Sequence, residues 1–166
     1  MQYNHSAKGK GTLPKPIEYL ISIGYADRVT KHDNTIDTVE HAAQQIGCSE
    51  AEIAKTLSFI VDNNPLIIVA AGDAKVNSSK FKKQFHEKPH MIPRDKVEEL
   101  IGYSPGGVCP FDVNADVWLD ISMKRFEYVH PAAGDEYTSV KLTIAELETV
   151  SKATGWCDVC RGWGEE

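Results

Sequence analysis

The chain has 166 residues, a hydrophobic fraction of 42% and a net charge of −6, which is typical of one globular domain with a full core. No apolar run approaches the roughly 20 residues of a membrane-spanning helix, and four cysteines do not suggest a disulfide scaffold. The acidic balance argues against broad, nonspecific affinity for nucleic acid. No signal peptide is visible, so we expect a cytoplasmic protein with no membrane partner. Residues 1–16 are polar and basic and predict a flexible tail.

Hydrophobic periodicity and capping signals predict a mixed order of helices and strands. In the first half these are a helix over 16–24, an edge strand over 28–32, a helix capped by Asp37 with Glu40, a single turn capped by Ser49 with Glu52, and two strands over 55–61 and 66–71. In the second half they are a helix capped by Ser78 or Ser79, a helix from Pro93, strands over 116–121, 126–130 and 139–142, and a last helix capped by Thr143 with Glu146. We therefore predict a single α+β domain whose strands curl into a barrel with helices around it.

Lys55 is unusual because it shares a strand face with apolar residues. Leu57, Phe59 and Val61 follow it at two-residue spacing, so the four side chains point the same way. Lysines are seldom buried unless they are paired. The amine therefore reaches out to solvent, pairs with a polar partner, or works in a pocket, and the strand pattern does not choose among these.

A glycine loop, residues 102–111, holds three glycines and two prolines. Glycine lets a ligand approach bare backbone, and proline stiffens the chain. The N–H groups of such a loop are candidates for binding a ligand. A tight crossover between a helix and a buried strand accounts for the same composition.

A basic stretch lies between Lys75 and Lys96, where seven cations face only two carboxylates. On an acidic protein, such a stretch is either a local contact for phosphates or a solvated helix face. From charge alone the solvated face is favoured.

The cysteines are weaker candidates for a site. Cys157 and Cys160 form one Cys-x-x-Cys pair, whereas structural zinc needs four ligands and a thioredoxin-type pair belongs near the start of a βαβ unit. Cys109 is either a nucleophile, with His130 or His41 as its base, or a small core residue, and we favour the core. No phosphate-binding loop or His-Glu-x-x-His motif occurs, so we expect neither a metal nor a cofactor.

Lys55, the glycine loop and the order of elements together resemble the YbaK-type aminoacyl-tRNA deacylases, a module that is also the editing domain of many bacterial prolyl-tRNA synthetases. The likeness covers residues 17–154 and leaves 1–16 and 155–166 as tails, the second with the Cys-x-x-Cys pair. The segments that carry it are Thr38-Val-Glu-His-Ala-Ala, Ile53-Ala-Lys55-Thr56-Leu57-Ser-Phe, Gly72-Asp73, Val97-Glu-Glu-Leu-Ile-Gly-Tyr103, Gly106-Gly107-Val-Cys-Pro-Phe111, the strand ending at Asp120, Pro131-Ala-Ala-Gly134 and Leu142-Thr-Ile-Ala-Glu-Leu147.

The resemblance implies a mixed, partly closed β-barrel flanked by helices, and a hydrolase that removes a wrong amino acid from tRNA. An aminoacyl ester is already activated, so such a protein must hold the carbonyl, stabilise the oxyanion and admit an attacking group. The site residues that the resemblance implies are Lys55 with the backbone of Gly106 and Gly107 as catalytic groups, and Thr56, Asp120 and His130 as substrate-binding groups.

The implied partners are an aminoacyl-tRNA, foremost tRNA-Pro carrying a small wrong amino acid, and prolyl-tRNA synthetase. Within the basic stretch, Lys80, Lys82 and Lys83 become candidates for contacting the tRNA acceptor stem. The chain departs from the family pattern at Asp112 and Val113, where members often have Gly-His or Gly-Leu.

Three hypotheses follow from the sequence. The first is a free-standing trans-editing deacylase. The second is a non-catalytic module that binds charged tRNA or a synthetase, and the third is an unrelated thiol enzyme centred on Cys109. Deacylation assays of the protein and of its Lys55 and Cys109 variants separate them.

Overall fold

The computed structural model describes residues 15–164, in which five short α-helices surround the sheet. They are α1 (Lys15–Ser22), α2 (Val39–Ile46), α3 (Ser78–Phe85), α4 (Val97–Ile101) and α5 (Ile144–Ser151). Most of the expected N-terminal tail lies outside the described residues, and its last two positions, Lys15 and Pro16, begin α1. None of the described helices has the length and apolar character needed to cross a membrane.

Within residues 15–164, ten strands alternate with these helices and with short 3₁₀ turns. They are β1 (Val29–Lys31), β2 (Ile53–Val61), β3 (Asn64–Ala71), β4 (Lys75–Val76), β5 (Asp116–Asp120), β6 (Tyr128–Pro131), β7 (Thr138–Val140), β8 (Leu142–Thr143), β9 (Gly155–Cys157) and β10 (Cys160–Arg161). Strands β2 and β3 form the predicted hairpin, with Lys55 opposite Ala70.

Six strands make one mixed sheet in the order β8-β6-β2-β3-β5-β9. The β2–β3 and β6–β8 pairs are antiparallel, whereas β2–β6, β3–β5 and β5–β9 are parallel. Two-stranded ribbons, β1–β7 and β4–β10, accompany the sheet. The sheet curls into a half-barrel, which confirms the prediction of one α+β domain with a partly closed barrel and flanking helices.

The core lies on both faces of the central hairpin. Strand β3 is fully buried from Ile67 to Ala71, as its unbroken apolar sequence requires. Helix α3 covers one region, where Phe81 meets Phe59 with 5.0 Å between ring centroids. Helix α2 packs through a separate small cluster, composed of Ile36, Ala42, Ala43 and Ile53.

Capping signals placed some helix starts correctly and others wrongly. Two of the three predicted capping pairs, Ser49 with Glu52 and Thr143 with Glu146, are present. The Asp37 cap was wrong, because α2 is capped by Thr38, whose side chain accepts the His41 backbone N–H at 3.0 Å. Likewise α3 is capped by Asn77 rather than by a serine.

The C-terminal segment differs from the expected tail. Strand β9 extends the main sheet beside β5, and β10 pairs with β4. Between them, the backbone N–H of Val159 donates to Asp120 Oδ1 at 2.9 Å. The buried carboxylate of Asp120 thus ties this segment to the end of β5. This tertiary contact helps the segment to form strands although its local sequence predicts them only weakly.

Candidate functional site

Two adjoining cavities meet at His130 and form the candidate site. The first, here called the apolar cavity, has a volume of about 280 Å³ and is enclosed by α2, β2, the glycine loop and the end of β6. The second, here called the cationic cavity, has a volume of about 480 Å³ and lies over β1, β7 and the C-terminal end of α2. His130 lines both cavities.

The walls of the apolar cavity come from four distant parts of the chain. Apart from the stretch Ile53–Leu57 of β2, the lining includes Thr38, Val39 and Ala42 of α2, Pro105 and Val108 of the glycine loop, and Ala132 after β6. The helix start at Thr38 brings α2 over β2, where Ala42 packs on Ile53. Three predicted site residues, Lys55, Thr56 and His130, therefore belong to one cavity.

Thr56 presents an unused polar atom at this site. Its Oγ1 is buried and has no hydrogen-bond partner among residues 15–164. A buried hydroxyl without a partner is unfavourable. Thr56 can therefore serve as a donor or acceptor to a bound ligand.

His130 is held between the two cavities by its strand register. It lies opposite Ile53 in the parallel pair of β6 with β2. Burial lowers the pKa of its imidazole below the ordinary 6.5, and Lys141 and His32 act in the same direction while Glu52 opposes them. At neutral pH the ring is therefore uncharged, and one of its nitrogens can accept a proton.

The amine of Lys55 is paired with backbone carbonyls of the turn that follows β3. Its Nζ donates to the carbonyl oxygens of Ala74 and, at 3.4 Å, Gly72, neither of which lines the apolar cavity. Burial lowers the pKa of this amine, whereas Cys160 and Asp73 oppose the shift. The sequence left open whether the Lys55 amine reaches solvent, pairs with a polar partner or works in a pocket. The structure shows that it pairs with backbone carbonyls.

The glycine loop borders the apolar cavity through its flanking residues. Pro105 and Val108 line the cavity, whereas Gly107 does not. The N–H of Gly107 donates to Ser104 O at 2.9 Å, so it is already used within the 3₁₀ turn 105–107. A Cβ on Gly107 would lie 2.7 Å from Gly134 O, and this close packing requires glycine there.

Tyr103 anchors the same loop, a role that was not predicted from the sequence. Its hydroxyl lies within hydrogen-bond distance of two successive carbonyls, Phe111 O at 2.7 Å and Asp112 O at 2.6 Å. The two ends of the loop are thereby tied together. The sequence signal that could have indicated this role is the position of Tyr103 directly after Gly102, the glycine that ends α4.

Asp120 lies outside both cavities. It is fully buried, and besides Val159 it accepts the backbone N–H of Ser122 at 3.0 Å. It is also among the charges that act on the Lys55 amine. Asp120 therefore holds backbone at the end of β5 and does not line the cavity where Thr56 and His130 lie.

The candidate tRNA-contacting lysines lie on α3. Lys80 is engaged with Asp158 at 2.9 Å and with Cys160 O at 3.2 Å. Lys82 and Lys83 are exposed. None of the three lines either cavity at His130.

The cysteines show no sign of an activated thiol. Cys109 is fully buried and does not line either cavity at His130, and burial raises its pKa to about 12. Burial also raises the pKa values of Cys157 and Cys160. In the part of the chain that the structure describes, no group of three or more His, Cys, Asp or Glu side chains could hold a metal ion.

Comparison with known proteins identifies relatives of the chain. A model of the aminoacyl-tRNA editing domain matches residues 33–150. The uncharacterized protein YwhH of Bacillus subtilis is 44% identical over 138 residues, which cover 81% of this chain and 88% of YwhH. A proline–tRNA ligase of Persephonella marina is 25% identical over 116 residues, or 68% of this chain and only 20% of the ligase.

A solved structure shares the fold. It belongs to a proposed trans-editing enzyme for prolyl tRNA synthetase and superposes with a TM-score of 0.78. The match covers 91% of this chain and 100% of that one, at 22% sequence identity. The half-barrel and its helices are therefore an architecture that also occurs in that protein.

Proposed function

We propose that this chain, which belongs to the aminoacyl-tRNA editing domain family, hydrolyses the ester that joins a wrong amino acid to tRNA. The observation that carries the proposal is the apolar cavity bordered by Lys55, Thr56 and His130. Its volume of about 280 Å³ lies just below the range of about 300–1,000 Å³ that is usual for pockets of drug-sized ligands. A cavity of this size suits a small side chain.

The chemistry asks little of the protein, because the ester is already an activated acyl group. The neutral imidazole of His130 can take a proton from a water that attacks the ester carbonyl and return it to the ribose oxygen as the acyl–oxygen bond breaks, which yields a free amino acid and a free tRNA hydroxyl. The hydroxyl of Thr56 can hydrogen-bond the substrate. We assign to Lys55 a positive charge at the edge of the apolar cavity. The glycine loop, with Gly106 and Gly107, shapes the rim of that cavity. To Asp120 we assign a structural role, because its carboxylate accepts the backbone N–H groups of Ser122 and Val159.

The substrate we propose is tRNA-Pro that carries a small wrong amino acid. Support comes from the similarity to a proline–tRNA ligase and from the fold shared with a proposed trans-editing enzyme for prolyl tRNA synthetase. We therefore propose prolyl-tRNA synthetase as the partner of this chain. Both proteins would then act in the cytoplasm. An apolar pocket separates side chains that differ by one methylene only modestly, so we expect several small amino acids to be removed.

A deacylation panel tests the proposal. The purified protein is incubated with tRNA-Pro charged with alanine, cysteine, serine or proline, and with other mischarged tRNAs, and ester loss is compared with spontaneous hydrolysis. We expect removal of at least one small amino acid. If no charged tRNA is hydrolysed faster than in buffer but charged tRNA or the synthetase binds, the chain is a binding module and the proposal is wrong.

Variants of Lys55 test its role within the same assay. Lys55→Ala is expected to abolish deacylation. Lys55→Arg keeps the charge but changes the donor geometry, so it is expected to retain part of the rate. Thermal unfolding of both variants is measured in parallel, and a rate loss that only follows a loss of folded protein would assign Lys55 a purely structural role.

A further inference from the structure

The carbonyls that receive the Lys55 amine belong to a short connection between two strands. The amine donates to Gly72 O and Ala74 O, and residues 72–74, here called the acceptor turn, join β3 to β4. A lysine side chain is long and flexible, so its charged end is found where its acceptors are. The position of the amine therefore depends on the contacts that hold the acceptor turn in place.

Arg125 holds the acceptor turn through Asp73. Two nitrogens of its guanidinium donate to the two carboxylate oxygens of Asp73, at 3.0 and 2.6 Å. Its Nε donates to Ser122 O at 2.8 Å, which fixes the arginine on the 3₁₀ turn that follows β5. Exposed ion pairs usually contribute little to stability, but a two-pronged arginine–carboxylate pair also imposes a geometry. The contact thus fixes the direction of the acceptor turn.

The C-terminal segment, residues 155–164, supports Arg125 from another side. The guanidinium carbon lies 5.0 Å from the ring centroid of Trp163 and 4.7 Å from that of Phe126. The indole N–H of Trp163 donates to Cys160 O at 3.3 Å, so the ring itself is anchored. A Cβ on Gly164 would lie 3.3 Å from Arg125 Cδ. Planar stacking of this kind suits arginine and not lysine.

The same segment also holds the chain that follows the acceptor turn. In the antiparallel pair of β10 with β4, Cys160 lies opposite Val76. The backbone N–H of Asn77 donates to Val159 O at 2.8 Å. The segment lies beyond residues 33–150, which the family model matches. A part of the chain outside the matched region therefore braces the turn that receives the Lys55 amine.

We propose that Arg125 is a positioning residue for Lys55 and that the C-terminal segment keeps Arg125 in this role. The inference rests on the proposed function and deepens it. Arg125 fixes the acceptor turn through Asp73, and the turn fixes the amine at the edge of the apolar cavity. Arg125 lines neither cavity at His130, so it acts through Lys55 and not on the substrate.

The titration of the Lys55 amine tests the inference without any reaction. It is followed by NMR of the Cε carbon in protein with ¹³C-labelled lysine, and the signal is assigned by its absence from Lys55→Arg. Burial lowers the pKa of this amine below the ordinary 10.5. We expect Arg125→Gln to raise that pKa toward 10.5, because a loosened turn lets water reach the amine and the unpaired Asp73 carboxylate favours its charged form.

Two further variants separate the geometry from the loss of charge. Trp163→Leu changes no charge but removes the ring beside Arg125, so it should raise the pKa of Lys55 in the same direction, and it serves the test if Arg125→Gln does not fold. Lys124→Gln is the matched control. Lys124 precedes Arg125 and lies 4.4 Å from the ring centroid of another tryptophan of the segment, Trp156. This variant removes one positive charge and should leave the Lys55 pKa unchanged.

Deacylation kinetics supply a second measurement. Arg125→Gln should lower kcat roughly tenfold and leave KM nearly unchanged, because a displaced amine impairs the reaction more than binding. Arg125→Lys keeps the charge but not the two-pronged contact, so it should recover only part of the rate. Lys124→Gln should react as the unmodified protein does. Thermal unfolding of each variant is measured in parallel.

The outcomes separate this inference from the proposed function. A raised Lys55 pKa in Arg125→Gln and Trp163→Leu, but not in Lys124→Gln, supports it even if no charged tRNA is hydrolysed. An unchanged Lys55 pKa in the folded Arg125 and Trp163 variants overturns it, and deacylation by the unmodified protein would then leave the proposed function standing. An equal rise in Lys124→Gln also overturns it. A rise in Arg125→Gln alone overturns the role assigned to the C-terminal segment.

Discussion

Lys55 and Gly72 are joined by a hydrogen bond from the amine of one to the carbonyl of the other, at 3.4 Å. The turn that carries Gly72 also packs against Val39, a residue of the cavity wall. A Cβ on Gly72 would overlap the carbonyl oxygen of Glu50 and lie 2.9 Å from Val39 Cγ1. Because Val39 lines the apolar cavity, the position of the amine and the shape of the cavity depend on the same turn.

Gly72→Ala is therefore expected to lower both stability and activity. Overpacking against backbone costs about 1–3 kcal/mol of unfolding free energy, and the displaced turn moves the partner of Lys55. Urea denaturation and deacylation rates measure the two effects. Gly155→Ala is the control, because its Cβ would meet only the side chain of Trp118, at 3.1 Å, which can shift. Equal stability of the two variants would contradict this account of the turn.

The deacylation rate should depend on pH through His130. Since burial lowers the pKa of this imidazole below 6.5, the neutral ring predominates at pH 7, and the rate should fall only as the pH drops below 6.5. His130→Gln should lower the plateau roughly a hundredfold, as is typical for loss of a general base, and remove the acidic decline. Single-turnover rates, corrected for spontaneous ester hydrolysis, measure both effects.

The control for this profile is His86→Asn. His86 ends α3 with a left-handed backbone, φ 69°, which asparagine tolerates, and it lines neither cavity. Its variant should keep the full profile. An acidic decline that persists unchanged in His130→Gln would assign the titration to another group.

The exposed α3 lysines should matter only for a long substrate. Lys82→Glu with Lys83→Glu replaces two positive charges by two negative charges on a surface outside both cavities, so binding of full-length tRNA at low salt should weaken at least about tenfold. Hydrolysis of a short aminoacyl-CCA substrate should be unchanged. Equal loss for both substrates would show that these lysines act at the site itself, or that the variant is misfolded.

Local sequence signals predicted the fold where neighbours in the chain decide the structure. The alternation from Lys55 to Val61 gave the central strand, and the pairs Ser49–Glu52 and Thr143–Glu146 gave two helix starts. At Asp37 two adjacent residues could each cap the helix. Thr38 does so, while the Asp37 carboxylate lies 3.0 Å from the ring of His41.

The site could be predicted only in part, because its walls are assembled by tertiary packing. The family resemblance brought Lys55, Thr56 and His130 together, but Pro105, Val108 and the α2 residues carry no local signal of a shared cavity. The direction of the Lys55 amine depends on carbonyls 17 and 19 residues away. The two-residue spacing of a strand determines on which face of the sheet a side chain lies. It does not determine where the amine at the end of a long, flexible lysine side chain is located.

Cys109→Ala should keep its deacylation rate while losing some stability. Cys109 is fully buried, and burial raises its pKa to about 12, so the thiol is protonated at neutral pH and is a weak nucleophile. Removing its buried sulfur costs about 1 kcal/mol of packing, which urea denaturation measures. Lys55→Ala, assayed beside it, should lose the activity that Cys109→Ala retains. The reverse result, an inactive Cys109→Ala with a fully active Lys55→Ala, would establish a thiol enzyme instead of an editing hydrolase.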